Sequence, residues 1–180
     1  MSINGDHCKA VEKLTKAGVN CYMSPGTAEE IGYHNHRVIS IRDLEPIGSW
    51  QVQPFEVAHD AAEPFGYFLA SQNGDRLVYI TDSFYSKYNF VKPTHIMVEC
   101  NYAKDILDKN VRTGRVPAAR KKRVLQSHFS LENVKEFLQA NDLSQLKEIH
   151  LLHLSDENSD AERFKREIQA LAGVPVYIAE

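Results

Sequence analysis

At 180 residues, 43% hydrophobic and 25% charged, the chain is long enough for one domain with its own core and has an ordinary globular composition. A net charge of −3 excludes nucleic-acid binding by bulk positive charge, and no apolar run is long enough to span a bilayer. The three cysteines, Cys8, Cys21 and Cys100, are odd in number and widely spaced. Without a signal-peptide pattern at the N-terminus, they point to reduced thiols in a cytoplasmic setting.

The periodicities predict elements in the following order. Val11, Leu14 and Ala17-Gly18 suit a helix over about 7–17, ended by Gly18. A short strand is expected at 19–23. Thr27-Ala28-Glu29-Glu30 has capping-box spacing and starts a helix near Thr27. Strands are expected at 38–41, 50–58, 65–70, 76–81 and 94–99, with Asn73-Gly74-Asp75 as a hairpin turn between two of them. Helical patterns cover 102–110, 117–125 and 131–140. Ser159-Asp160-Ala161-Glu162 opens a last helix that stops near Gly173, and 175–179 closes the chain as a strand. Strands dominate early and helices late, which predicts an α/β layered single domain over residues 1–180, without repeats or linkers.

Several strand-like runs end in residues of metal-ligand type. His59 follows Trp50–Ala58, Asp82 follows Leu77–Thr81, and His153 follows Ile149–Leu152; Asp6 and His7 stand ahead of the first helix. Carboxylates and neutral imidazoles are the usual ligands of zinc and related ions, and a sheet brings strand ends together. Other candidates are weaker. Cys8 reads as a packed thiol rather than a ligand. His34 and His36 fall in a solvated loop, and His95 and His150 read as hydrogen-bonded core residues. His128 either caps the helix beginning near Ser130, orients a ligand, or donates to a phosphate.

The order Asp6-His7, His59, Asp82, His153 resembles the metallo-β-lactamase fold family. The late stretches Ser127-His128-Phe129-Ser130 and His153-Leu154-Ser155-Asp156-Glu157-Asn158 resemble its phage and bacterial branch related to single-stranded-DNA exonucleases. The resemblance implies that Asp6, His7 and His153 form the second metal site, that Asp82 bridges, and that His59 belongs to the first site. Ser2 and Asn4 stand where the family has its first two histidines, and neutral oxygens are poor zinc ligands. One zinc ion is therefore expected rather than two, with manganese as the alternative. The implied fold is a shortened αββα sandwich lacking much of its first sheet. An uncovered sheet face invites a partner, so a homodimer is expected.

Arg112, Arg115, Arg120, Lys121, Lys122 and Arg123 form an acid-free basic stretch that suits phosphate or partner binding, or else a solvated helix face. Tyr85, Tyr88 and Phe90 form an apolar rim after Asp82 or belong to the core. Two functions follow. The missing imidazoles favour a zinc-stapled, catalytically degenerate protein that binds a protein or protein–nucleic-acid target, such as a phage inhibitor of a CRISPR-Cas defence (an anti-CRISPR). The alternative is a metal-dependent phosphodiesterase or nuclease.

Overall fold

The computed structural model describes residues 8–179. Helix α1 (Val11–Lys16) turns at Gly18, whose φ of +89° glycine alone adopts without strain, and leads into strand β1 (Cys21–Met23). Helix α2 (Pro25–Ile31) begins two residues earlier than the capping-box spacing predicts. The Ser24 hydroxyl accepts from the Thr27 amide, and Pro25 occupies the first helical position, where no N–H is needed. Strand β2 (Val38–Ser40) pairs in parallel with β1 as a two-stranded sheet.

The main sheet holds seven strands in sequence order: β3 (Glu45–Ile47), β4 (Trp50–Glu56), β5 (Phe65–Ser71), β6 (Arg76–Ile80), β7 (His95–Glu99), β8 (Glu148–Leu152) and β9 (Val176–Ile178). The run β3 to β6 is antiparallel, and β6 to β9 is parallel. Between β7 and β8 lie α3 (Lys104–Arg112), α4 (Ala118–Ser127) and α5 (Leu131–Gln139); α6 (Ala161–Ala172) crosses from β8 to β9. Asp160 caps α6 by accepting from the Arg163 amide, one residue later than the predicted Ser159. Gly173 ends it in the left-handed region, as expected.

The alternating side chains of the parallel strands divide the sheet into two faces. Val78, Ile80, Ile96, Val98, Ile149 and Leu151 are fully buried against Leu131, Val134 and Leu138 of α5 and Phe164 and Ile168 of α6. The opposite face carries Tyr79, His95, Met97 and His150, all half-buried. His95 and His150 therefore lie outside the core expected for them; they bond to Thr94 and Glu148 respectively. The architecture is α/β with helices on a mixed sheet. The second sheet is represented among the described residues by β1 and β2. No helix among the described residues is long and apolar enough to cross a membrane.

Candidate metal centre

Three adjacent parallel strands deliver charged groups to one end of the main sheet. Asp82 lies two residues past β6, Glu99 is the last residue of β7, and His153 directly follows β8. His128 joins them from the C-terminal cap of α4. Ligand atoms of these four groups all lie within 4.8 Å of one another. In open α/β sheets, ligands bind beyond the carboxyl ends of the strands, where these groups sit.

Glu99 is the anchor. It is fully buried, and an ionised carboxylate there requires partners on both oxygens. Its Oε2 accepts from the backbone amides of Ser83 at 3.2 Å and Phe129 at 3.3 Å. Its Oε1 faces Nδ1 of His128 at 2.6 Å and Nδ1 of His153 at 2.8 Å. The Asp82 Oδ1 lies 3.0 Å from Nδ1 of His153 and 3.7 Å from Nδ1 of His128. The two imidazoles meet edge to face, with centroids 5.2 Å apart. The hydrogen bond to Asp82, and after it that to Glu99, pushes the His153 imidazole up to about 10.

The backbone is strained at this place. Asp82 at φ +47° and His153 at φ +52° are two of three non-glycine residues with positive φ among the described residues. Such conformations cost about 1–3 kcal/mol each and cluster at functional sites. The His153 carbonyl is held by the Asn101 side chain at 2.8 Å.

The donor set fits a divalent metal ion. Ligands at about 2.0–2.2 Å from one ion lie at most about 4.4 Å apart, so the four groups need only small shifts to converge. Two carboxylates and two imidazoles are hard and borderline donors suited to such an ion. Because Glu99 already serves two amides and two rings, Asp82 and His153 are the better-placed direct ligands.

Asp82 and His153 thus come together, with His128, whose three roles were left open, and with Glu99, which sequence reasoning passed over. A charged residue ending the apolar run His95-Ile96-Met97-Val98 was the available signal, and it is the same signal that marked Asp82 and His153. His59 is not in the four-group cluster. Its loop is tied down by Ala58 N to Ser83 Oγ at 3.1 Å and by Glu63, which accepts from Gly26 N and Arg42 Nε. Its imidazole lies 3.4 Å from Asp60 and lines the same cleft as Asp82. Asp6 and His7 lie outside the described residues. Burial raises the Cys8 thiol, which disfavours the thiolate a metal would need.

No family profile matches the chain. It is 31% identical over 128 residues to exodeoxyribonuclease YycJ of Bacillus anthracis, covering 68% of this chain and 47% of that protein. The chain therefore spans about half the length of this relative. Among solved structures, YhfI from Bacillus subtilis, a metallo-β-lactamase fold protein, superposes with a TM-score of 0.61 at 14% identity, covering 88% of this chain and 60% of YhfI. The chain has the metallo-β-lactamase fold. A diphosphatase of the PhnP family carries the same fold, with a TM-score of 0.55 at 16% identity over 88% of this chain and 55% of that one. On the metallo-β-lactamase fold of this chain, the four-group cluster occupies the carboxyl ends of β6 to β8.

The basic stretch leads into α4, whose C-terminal cap is His128. Arg112 ends α3, and α4 carries Arg120 to Arg123 before its cap at His128. Lys121 pairs with Asp108 at 2.6 Å and Arg120 with Glu157 at 3.5 Å. Arg112, Arg115, Lys122 and Arg123 are exposed and have no ion pair among the described residues.

Proposed function

We propose that this protein is a metal-dependent phosphodiester hydrolase acting on single-stranded nucleic acid. The observation that carries the reading is the convergence of Asp82, Glu99, His128 and His153 at the carboxyl ends of three parallel strands. The likeness to an exodeoxyribonuclease and to a diphosphatase supports phosphoryl chemistry. We propose one ion, zinc first and manganese second, with Asp82 and His153 as ligands. When bound, such an ion polarises a phosphoryl oxygen and lowers the pKa of water.

The protein's own groups do the rest. Glu99 holds Nδ1 of His128, which leaves Nε2 as the ring nitrogen able to move a proton. As a water oxygen bonds to phosphorus and releases a proton to solvent, the P–O bond to the leaving group breaks and His128 delivers a proton to the departing oxygen, regaining one from solvent before the next turnover. The exposed cations of α4 and the turn before it steer a phosphate backbone toward the centre. The partner-binding reading drew on the missing imidazoles at Ser2 and Asn4; the Glu99–His128 pair supplies a proton-transfer group that it left out. A homodimer is part of the proposal, because one face of the main sheet is only half-buried; sedimentation velocity tests it, and a monomer removes it.

The deciding experiment is turnover of a labelled single-stranded oligonucleotide, and of a small generic phosphodiester, by zinc- or manganese-loaded protein with Asp82→Ala as control. Metal-dependent cleavage that vanishes in the variant is expected. No turnover by protein shown to hold the ion overturns the hydrolase reading.

A further inference from the structure

Resting on the single-stranded substrate just proposed, the geometry points to Phe84 and Tyr85 as a base-stacking platform, which we infer holds an unstacked nucleobase beside the metal centre. Of the exposed large hydrophobic side chains among the described residues, three are aromatic: Phe84, Tyr85 and Tyr177, at 39%, 56% and 45% exposure. Two of the three come directly after Asp82 and Ser83. Their loop neighbours behave differently: Tyr88 and Phe90 turn inward, with ring centroids 5.4 and 4.9 Å from that of Phe55. The loop had apolar positions available, and it leaves these two rings outside.

The backbone beneath them is fixed. The Ser83 amide donates to Glu99, placing the preceding turn against the four-group cluster. The Ser83 hydroxyl donates to the Tyr85 carbonyl at 2.7 Å. The Phe84 carbonyl accepts from the Asn133 side chain of α5 at 2.9 Å, and its amide donates to the Ala58 carbonyl in the His59 loop at 3.3 Å. Tyr85, more than half exposed on a loop tethered from three sides, contributes little to the core and is held ready for a ligand, with the partly exposed Phe84 ring beside it.

The class of ligand follows from the surroundings. The helix that His128 caps, α4, carries the exposed cations Lys122 and Arg123; Arg123 is about 7.5 Å from His128 along the helix axis. Aromatic faces for bases, together with cations for the backbone, are the two components of single-strand recognition. A duplex offers no free base face, so the platform selects a frayed end or a single strand.

The test is fluorescence anisotropy of the full-length protein with a labelled oligothymidylate and with an abasic strand of the same length and charge. The variants are Tyr85→Ala, Phe84→Ala and Tyr85→Phe. We expect Tyr85→Ala to weaken oligothymidylate binding about tenfold, Tyr85→Phe to restore it, and the abasic strand to be indifferent to both. Equal affinity of wild type and Tyr85→Ala for oligothymidylate overturns the inference, as does equal weakening on both strands or no binding of either. Turnover of the small phosphodiester, run in parallel, separates the two readings. Tyr85-dependent binding without turnover sinks the hydrolase and keeps the platform; turnover with Tyr85-independent binding does the reverse. A thermal melt unchanged in Tyr85→Ala shows that the fold is intact.

Discussion

Glu99 bears on both stability and chemistry. Both of its oxygens are acceptors: one serves two backbone amides and the other faces two imidazole nitrogens. In Glu99→Gln the NH2 group either faces the two backbone amide donors or forces the imidazole nitrogens opposite it to become acceptors. Leaving such buried groups unmatched costs about 2–3 kcal/mol. The same change frees the His128 ring to rotate, and loss of an orienting partner typically lowers metal affinity or activity about 10- to 100-fold. Urea melts and turnover of the metal-loaded variant check both effects; wild-type values would show that Glu99 neither supports the fold nor orients the rings. This residue also marks how far the site was legible in the sequence. Asp82 and His153 are legible because each breaks an apolar strand at its end, and the family order reinforces them. Glu99 ends β7 in the same way, but a terminal glutamate is ordinarily solvated. Its complete burial comes from the covering segment Ser127–Ser130, which is distant in sequence.

Elements were legible where periodicity was long, and less so where a cap or an edge decided. The core strands β4 to β8 and helices α3 to α6 fall close to their predicted spans. Strand β3 was missed because three residues centred on Pro46 carry almost no pattern; its place comes from pairing with β4. Two packing features make the element scale testable. Gly66 on β5 lies under Phe55, and an added Cβ would meet that ring at 2.5 Å and the Tyr79 carbonyl at 2.9 Å. Gly66→Ala should cost about 2 kcal/mol, seen as a lower urea midpoint with unchanged m-value. Helices α5 and α6 are joined by Lys135–Glu167, and α6 to α3 by Arg163–Asp105 at 2.7 Å, with Arg163 also holding Glu167 at 2.8 Å. The hydrogen bonds to Lys135 and then to Arg163 lower the Glu167 carboxyl. A depressed carboxyl contributes stability above its unfolded pKa, near 4.3, and that contribution disappears as pH falls through the folded value. Since these side chains are about 30% exposed, screening limits the contribution to about 1 kcal/mol or less. Glu167→Gln should therefore flatten the loss of stability below pH 4.3 and leave the melting behaviour well below the folded pKa unchanged.

At the scale of the whole molecule the charge distribution decides how a polyanion can approach. The net charge is −3, so the average field opposes it, and attraction must come from local cations. Arg120 and Lys121 are already paired with Glu157 and Asp108, which removes them from the count. Arg112, Arg115, Lys122 and Arg123 remain, spread from the end of α3 along α4, toward His128. If these groups contact phosphates, binding releases about 0.7 counterions per contact on a single strand, and the affinity falls with salt in proportion. Replacing Lys122 and Arg123 together by glutamine should reduce the slope of log affinity against log salt by about 1.4, at about 0.7 per contact. The loss should be uniform across base sequences, because phosphate contacts carry no base information. The same double variant should leave turnover of the small phosphodiester unchanged, since that substrate has no backbone to steer. An unaltered salt slope would reduce the basic stretch to a solvated helix face balanced by its own acids. A slope that falls while small-substrate turnover holds would divide the surface into a steering helix and a chemical centre, joined at His128.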